Sequence, residues 1–399
     1  MSEAARAPEP FLCPVCRSGE TEEFFLLRGV PIHCNLLWQS RDRAVDAPRG
    51  DLRLRFCHAC GHVFNSAFRA ELMEYSERYE NSLHFSPFFQ EYARALAQEL
   101  RDRYGLRNKH VVEIGCGKGE FLTLLCREGD NRGTGFDTSY EPGRHRDMTN
   151  GRVTFVRDFF GPQHAHLAPD LVVCRHVLEH VENPLRFLVE VKETLRNCHE
   201  AGVFFEVPNA MFIFRDLSIW DLIYEHCGCF TRESLRAAFQ LAGFCVSSVG
   251  TAFSRQFLTI EAQARNGSCP GIWDSRAIEE KYVPYVQRFS RNFQDKVEEW
   301  SRRLQEIQES RGKVVVWGAG SKGAGFLNMV PGADKVRYVV DINPHKQGKH
   351  VAGSGQTIVN PEFLTKYRPK VILVMNPAYL DEIRRMCEAM GLAAQLLRV

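Results

Sequence analysis

Two pairs of cysteines, Cys13-Pro-Val-Cys16 and Cys57-His-Ala-Cys60, stand in C-x2-C knuckles. Four thiolates at tetrahedral corners saturate a zinc ion and leave no position open for substrate, so the expected role of Cys13, Cys16, Cys57 and Cys60 is structural. A redox centre needs only one such pair. The neighbouring Cys34, His33, His58 and His62 are read as bystanders of that site. Further along, Val111-Val112-Glu113-Ile114-Gly115-Cys116-Gly117-Lys118-Gly119 sets an acid inside a strand and glycines at the turn into a helix. Gly115, Gly117 and Gly119 let the backbone approach a ligand closely. Asp137 follows the next strand about 20 residues on, where a carboxylate accepts both hydroxyls of a ribose. Asp158-Phe159, after Val153 to Val156, is positioned to meet an adenine ring.

Groups able to move protons come next. Arg175-His176-Val177-Leu178-Glu179-His180-Val181 follows the strand Leu171 to Cys174, and in a sheet of this kind ligands sit beyond the carboxyl ends of the strands. His176 to His180 spells H-x-x-E-H, an inverted zinc-protease motif on a helix, but its place directly after a strand of a nucleotide-binding sheet argues against that reading. His180 is a pocket residue in this reading. Tyr224-Glu225-His226 groups a phenol, a carboxylate and an imidazole, the types that supply a base, its orienting partner and a donor to a developing oxyanion. Tyr75 and Tyr79 lie with Asn81, His84 and Ser86 in a polar aromatic stretch that by itself reads as packing.

The elements that must position these groups alternate. Strands are expected at His110 to Ile114, Gly133 to Phe136, Leu171 to Cys174 and Val203 to Val207, with helices at Gly119 to Cys126 and Pro184 to Leu195. Such alternation builds a parallel sheet from βαβ units. Ahead of them, Phe88, Tyr92, Leu96 and Leu100 repeat every four residues and place a helix over Glu71 to about Arg103. Asn266-Gly267-Ser268-Cys269-Pro270-Gly271 breaks the pattern, a charged helix over roughly Ser275 to Ser310 reads as a connector, and Val314 to Trp317, Tyr338 to Val340 and Val371 to Met375 open a second alternation. The expected division is a zinc-binding module over 1–75, a core over 76–265, a helical connector over 266–310 and a C-terminal α/β domain over 311–399.

Composition narrows the partners. Over 399 residues, 51 Lys and Arg face 49 Asp and Glu, a formal charge of +2, which lacks the footprint of a protein held to nucleic acid by phosphate contacts. No run of about 18 apolar residues is present, so no membrane partner is expected, and the start MSEAARAPEPF lacks the layout of a signal peptide. The chain is read as cytoplasmic. Fourteen cysteines diluted over this length fit metal binding and reduced thiols better than a disulfide scaffold.

The E-x-G-x-G-x-G loop with Asp137 resembles motif I of class I S-adenosylmethionine methyltransferases, over about Glu71 to Arg265. The whole pattern is similar to the sugar C-methyltransferase family, whose members methylate a 4-keto nucleotide-linked deoxyhexose at the carbon beside the ketone. The four-cysteine module ending in Cys57-His-Ala-Cys60-Gly61-His62-Val63 carries this resemblance, together with two C-terminal signatures, Gly318-Ala319-Gly320-Ser321-Lys322-Gly323 and Val340-Asp341-Ile342-Asn343-Pro344-His345-Lys346-Gln347-Gly348. It implies an α/β fold: a Rossmann-like methyltransferase core, a small zinc module and a Rossmann-like C-terminal domain. It also implies S-adenosylmethionine as donor and a structural zinc ion, with a small-molecule acceptor, a nucleotide-linked keto sugar. His226 becomes the base, Glu225 and Tyr224 stand beside it, and His180 and Tyr79 complete the site. Glu113, Gly115, Gly117, Gly119, Asp137, Asp158 and Phe159 hold the donor. The chain departs from the family's Tyr-His-Glu-His arrangement by lacking a residue between Tyr224 and Glu225. Met375-Asn376-Pro377 stands where an aromatic-Asn pair is expected, which marks a divergent member.

Overall fold

The computed structural model describes residues 11–73, 79–141, 151–265, 274–310 and 312–399. Its centre is a seven-stranded sheet. Strands β4 (His110–Ile114), β5 (Arg132–Phe136), β6 (Val153–Val156), β7 (Leu171–Arg175) and β8 (Gly202–Pro208) run parallel, and β10 (Cys245–Ala252) and β11 (Phe257–Gln263) close one edge in the order β10-β11-β8-β7-β4-β5-β6. The run Leu171 to Cys174 is buried on both faces, as a central parallel strand with helices above and below must be. β11 lies antiparallel to both β8 and β10. This hairpin was not expected, because Ser247, Ser248 and Gly250 break the strand signal of β10.

The helix that leads into this sheet begins at Pro87, not at Glu71, and ends at Tyr104. Proline fits the first turn, where its missing N–H costs nothing, but not a helix interior. Ser86 caps the start by accepting from the Phe89 N–H. The apolar period over Phe88 to Leu100 was real, and only its start was overextended.

Before the core lies an antiparallel sheet of β1 (Thr21–Pro31), β2 (Arg49–Cys57) and β3 (Val63–Asn65), and its fourth strand comes from the core: β9 (Gly228–Cys229) pairs with β3. The segment Tyr224 to His226 is therefore anchored two residues from a strand of the cysteine-bearing unit.

The C-terminal sheet is fully parallel, in the order β14 (Thr357–Val359), β13 (Tyr338–Val340), β12 (Val314–Trp317), β15 (Val371–Val374), β16 (Gln395–Arg398). The helix Ser275–Glu309 spans 35 residues and buries Phe289, Phe293 and Trp300. Phe289 and Phe293 meet Phe25 edge-on at 5.1 and 4.8 Å, and Trp300 meets Phe326 of the C-terminal domain at 5.8 Å. One apolar cluster thus runs through the N-terminal sheet, this helix and the C-terminal domain. The helix is a shared core element more than a connector. The expected break Asn266 to Gly271 lies outside the described residues, as does Tyr75. Cys245 is disulfide-bonded, and the other described cysteines are free, as expected of reduced thiols. No helix among the described residues is long and apolar enough to cross a membrane.

Candidate active site and metal centre

The four knuckle cysteines converge. Their sulfurs all lie within 4.8 Å of one another, with Cys13 to Cys60 at 3.6 Å and Cys16 to Cys57 at 3.5 Å. A tetrahedron with zinc–sulfur bonds near 2.3 Å has edges of about 3.8 Å, so the donor set and its spacing fit Zn2+. Backbone hydrogen bonds shape both knuckles, Cys57 N–H to the His62 carbonyl and Arg17 N–H to the Cys13 carbonyl. His58 turns away to Glu22 and Glu279, and His62 is buried against Phe64 and Phe230. His33 faces Glu225 instead, at 3.2 Å.

At the carboxyl end of β4 the backbone takes φ values of +67° at Gly115 and +55° at Gly117, which favour glycine. A Cβ at Gly115 would stand 2.1 Å from the Val177 side chain, whereas one at Gly117 would meet nothing within 4 Å, so the turn is tight on one side and open on the other. Asp137 holds the backbone beside that open side. Its Oδ2 accepts from the Gly117 N–H at 2.8 Å and its Oδ1 from the Ser139 N–H and hydroxyl at 2.7 and 2.6 Å. Glu113 is buried inside the strand, and burial pushes its carboxyl up to about 8. Asp158 accepts from the Phe159 N–H, and the Phe159 ring projects into solvent, 76% exposed.

A cleft of about 300 Å³ opens between the end of β7 and the C-terminal domain. His180 and His226 line it, with ring centroids 4.9 Å apart and planes at 78°. The His180 Nδ1–H donates to the Glu225 carbonyl at 2.9 Å, which fixes its ring. Burial, reinforced by the neighbouring His180, lowers His226 to about 3. Its imidazole is therefore neutral at physiological pH, the form a base requires. Tyr79 lines the cleft, and its hydroxyl meets the Asn35 amide at 3.5 Å.

The two other members expected of the triad do not reach the cleft. Residues 223–226 form a turn closed by the His226 N–H on the Ile223 carbonyl, so Ile223 and His226 line the cleft while the middle residues point away. Tyr224 packs under Gly50 and takes the Arg69 N–H on its hydroxyl at 2.9 Å. Glu225 is fully buried against His33. The Tyr-Glu-His spacing was legible as a cluster, but turn geometry separates its side chains.

His176 and Glu179, weighed in the sequence only as part of an H-x-x-E-H motif and given no role in the site, also line the cleft. His176 takes φ +56° and stands 3.0 Å from Glu206 and 3.7 Å from Glu179. Burial opposes its charge, but the two carboxylates outweigh burial and raise it to about 9. Glu206 lies beneath, also accepting Arg175 Nε and Nη2 at 3.0 and 2.9 Å and the Tyr92 hydroxyl. Despite burial, these partners hold it at about 2. Across the cleft, the glycine loop Gly318 to Gly323 faces the histidines, and Lys322 pairs with Asp221 at 2.9 Å. The Gln256 and Asn376 amides exchange hydrogen bonds at 3.0 and 3.1 Å, joining the core to the C-terminal domain.

Comparison with known proteins agrees with this architecture. Residues 89–249 match the family described as "Methyltransferase domain", and residues 265–394 match "C-methyltransferase C-terminal domain". Among curated proteins, the chain is 33% identical over 108 residues to ubiquinone biosynthesis O-methyltransferase of Vibrio cholerae, covering 25% of this chain and 43% of that protein. It is 34% identical over 102 residues to the enzyme of the same name from Actinobacillus pleuropneumoniae, 23% and 43% of the two chains. The chain thus spans under half the length of these relatives. A crystal structure of magnesium protoporphyrin IX methyltransferase from Synechocystis, with S-adenosylhomocysteine bound, aligns over 45% of this chain and 84% of that one at 18% identity and a TM-score of 0.35. Residues 89–249 thus form a methyltransferase domain, and residues 265–394 are similar to the C-methyltransferase C-terminal domain that follows it.

Proposed function

We propose that the protein methylates carbon beside a ketone of a nucleotide-linked keto-deoxysugar or a related small molecule. The observation that carries the reading is the placement of His226 beside His180 at the wall of a cleft whose other wall is the region similar to the C-methyltransferase C-terminal domain. Gly115, Gly117, Gly119 and Asp137 hold the donor in this reading, since Gly117 opens on free space beside a carboxylate already oriented by Ser139. When bound, S-adenosylmethionine supplies an electrophilic methyl group. His226 removes the proton from the carbon next to the carbonyl, and the resulting enolate carbon is the nucleophile for that methyl. The Tyr79 hydroxyl, which lines the cleft, donates to the enolate oxygen in this reading. His180, oriented by the Glu225 carbonyl, positions His226.

For the nucleotide part, Asp341 accepts from the Ala319 N–H at 2.8 Å and from the Asn343 N–H at 2.9 Å. That arrangement repeats Asp137 with Gly117 and Ser139 at the donor loop. The four cysteines hold zinc and keep the sheet to which β9 belongs in place.

Incubation with S-adenosylmethionine and a panel of 4-keto nucleotide deoxysugars, read by mass spectrometry, tests the proposal. The expected result is a gain of one methylene at carbon, with solvent deuterium entering the ketosugar before transfer, both lost in His226→Ala. Donor binding without ketosugar product or exchange overturns it. The curated relatives favour a second reading, methylation of a hydroxyl, because they are O-methyltransferases. That route forms no enolate, so product formation without deuterium exchange selects it.

A further inference from the structure

The turn at residues 223–226 that presents His226 is held from the N-terminal unit. The Tyr224 hydroxyl takes the Arg69 N–H, the Cys227 carbonyl takes the Asn65 N–H at 2.9 Å, and between them Glu225 meets His33. The last contact differs in kind. Glu225 has no exposure, its Oε1 lies 3.2 Å from His33 Nδ1, and its Oε2 has no hydrogen-bond partner. A carboxylate only accepts, so His33 Nδ1 carries the proton, and this one donor supports a buried group that is costly to leave unmatched. The carbonyl of the same Glu225 accepts the His180 Nδ1–H at 2.9 Å, and the His180 ring stands 4.9 Å from that of His226. Holding the Glu225 side chain therefore holds the peptide that orients both rings. His33 also sits on a segment that grips Tyr79. Between β1 and the short helix Arg41–Val45, Leu36 forms an antiparallel bridge with Tyr79, and the Asn35 carbonyl accepts the Glu80 N–H at 3.1 Å.

We propose that His33 is a positioning residue for the imidazoles of the cleft: through the Glu225 carboxylate it sets the turn that presents His226 and orients His180, and through its own segment it fixes that turn against Tyr79. His33 does not line the cleft, so it acts through Glu225 and not on the acceptor. Its consequence for catalysis rests on the methyl-transfer reading, whereas the geometry is tested without any acceptor.

Full-length protein labelled with 15N-histidine is compared by NMR as wild type, His33→Ala and His33→Asn. The wild type should show Nδ1–H protons at His33 and His180, both protected from solvent exchange. His33→Ala should lose the protected His180 proton, and His33→Asn, whose amide restores a donor near the Nδ1 position, should regain it. His110 at the amino end of β4, its ring held by the Leu167 carbonyl and the Thr134 hydroxyl, should keep its resonances in each variant and so reports an intact fold. With a ketosugar acceptor, kcat in His33→Ala should fall by up to about 100-fold, the cost of misplacing a reacting group by about 1 Å, while donor affinity measured by calorimetry stays unchanged. An unprotonated His33 Nδ1 in the wild type, a His180 proton that survives in His33→Ala, or failure of His33→Asn to restore it overturns the proposal, and the first of these needs no variant to fold. If the ring spectra behave as expected and no ketosugar is methylated, the methyl-transfer reading falls and the positioning by His33 stands.

Discussion

Glu206→Gln isolates the charge of one buried carboxylate while keeping its shape. In the wild type this side chain, with no exposure, accepts two hydrogen bonds from Arg175, one from the Tyr92 hydroxyl, and lies 3.0 Å from His176. The amide leaves the buried Arg175 guanidinium without its counter-charge, and removing one partner of a buried pair costs about 3–5 kcal/mol. Proton linkage gives an independent figure of the same size. Raising His176 from 6.5 to about 9 corresponds to about 3 kcal/mol at 1.36 kcal/mol per pKa unit, part of it due to Glu206. For a core of this size 1 kcal/mol moves the unfolding midpoint by about 2–4 °C, so the variant should melt roughly 6–20 °C lower.

The pH dependence has a definite sign. The folded pKa of His176 is raised, so its contribution is complete below about 6.5 and disappears as pH rises through about 9. Glu206 is depressed to about 2 from 4.5, so its contribution is present above 4.5 and lost as pH falls through 2. The gap between wild type and Glu206→Gln should therefore be widest between roughly pH 4.5 and 6.5 and narrow towards pH 9. Differential scanning fluorimetry across this range, with calorimetry at two pH values, reads both quantities. A midpoint change below 2 °C at pH 6, or a gap that widens towards pH 9, refutes the account of this network.

Other perturbations follow from single contacts. Gly325→Ala places a Cβ 2.5 Å from the Trp220 carbonyl oxygen, backbone against backbone, so an overpacking penalty of about 1–3 kcal/mol should appear in urea unfolding. Cys57→Ser removes one of the four cysteines proposed to hold zinc, at the end of β2. Metal analysis should find zinc lost, and because β3 carries β9 beside the turn that presents His226, acceptor turnover should fall further than donor affinity measured by calorimetry. Gly115→Val drives a side chain into Val177 at a φ of +67°, so donor binding should weaken by at least tenfold in the same measurement.

Local sequence determined those features that depend on residues close in the chain. The parallel strands β4, β7 and β8 were legible because buried strands read as short apolar runs between turn formers, and the β4 loop because its glycines are needed within a few residues of one another. The cysteine spacing likewise pointed to a tetrahedral metal set before the sulfurs were seen to meet. Tertiary structure decided the rest. Which side chains of Tyr224-Glu225-His226 enter the cleft depends on a turn held by β9 pairing with β3, a contact across more than 160 residues that no local pattern encodes. The charge of His176 depends on Glu206 and Glu179 arriving from other segments, and burial with nearby charge, not residue type, sets a pKa. The second wall of the cleft comes from a domain a hundred residues downstream, fixed by Lys322 on Asp221 and Asn376 on Gln256. A motif names the chemistry available, and only packing brings its members to one place.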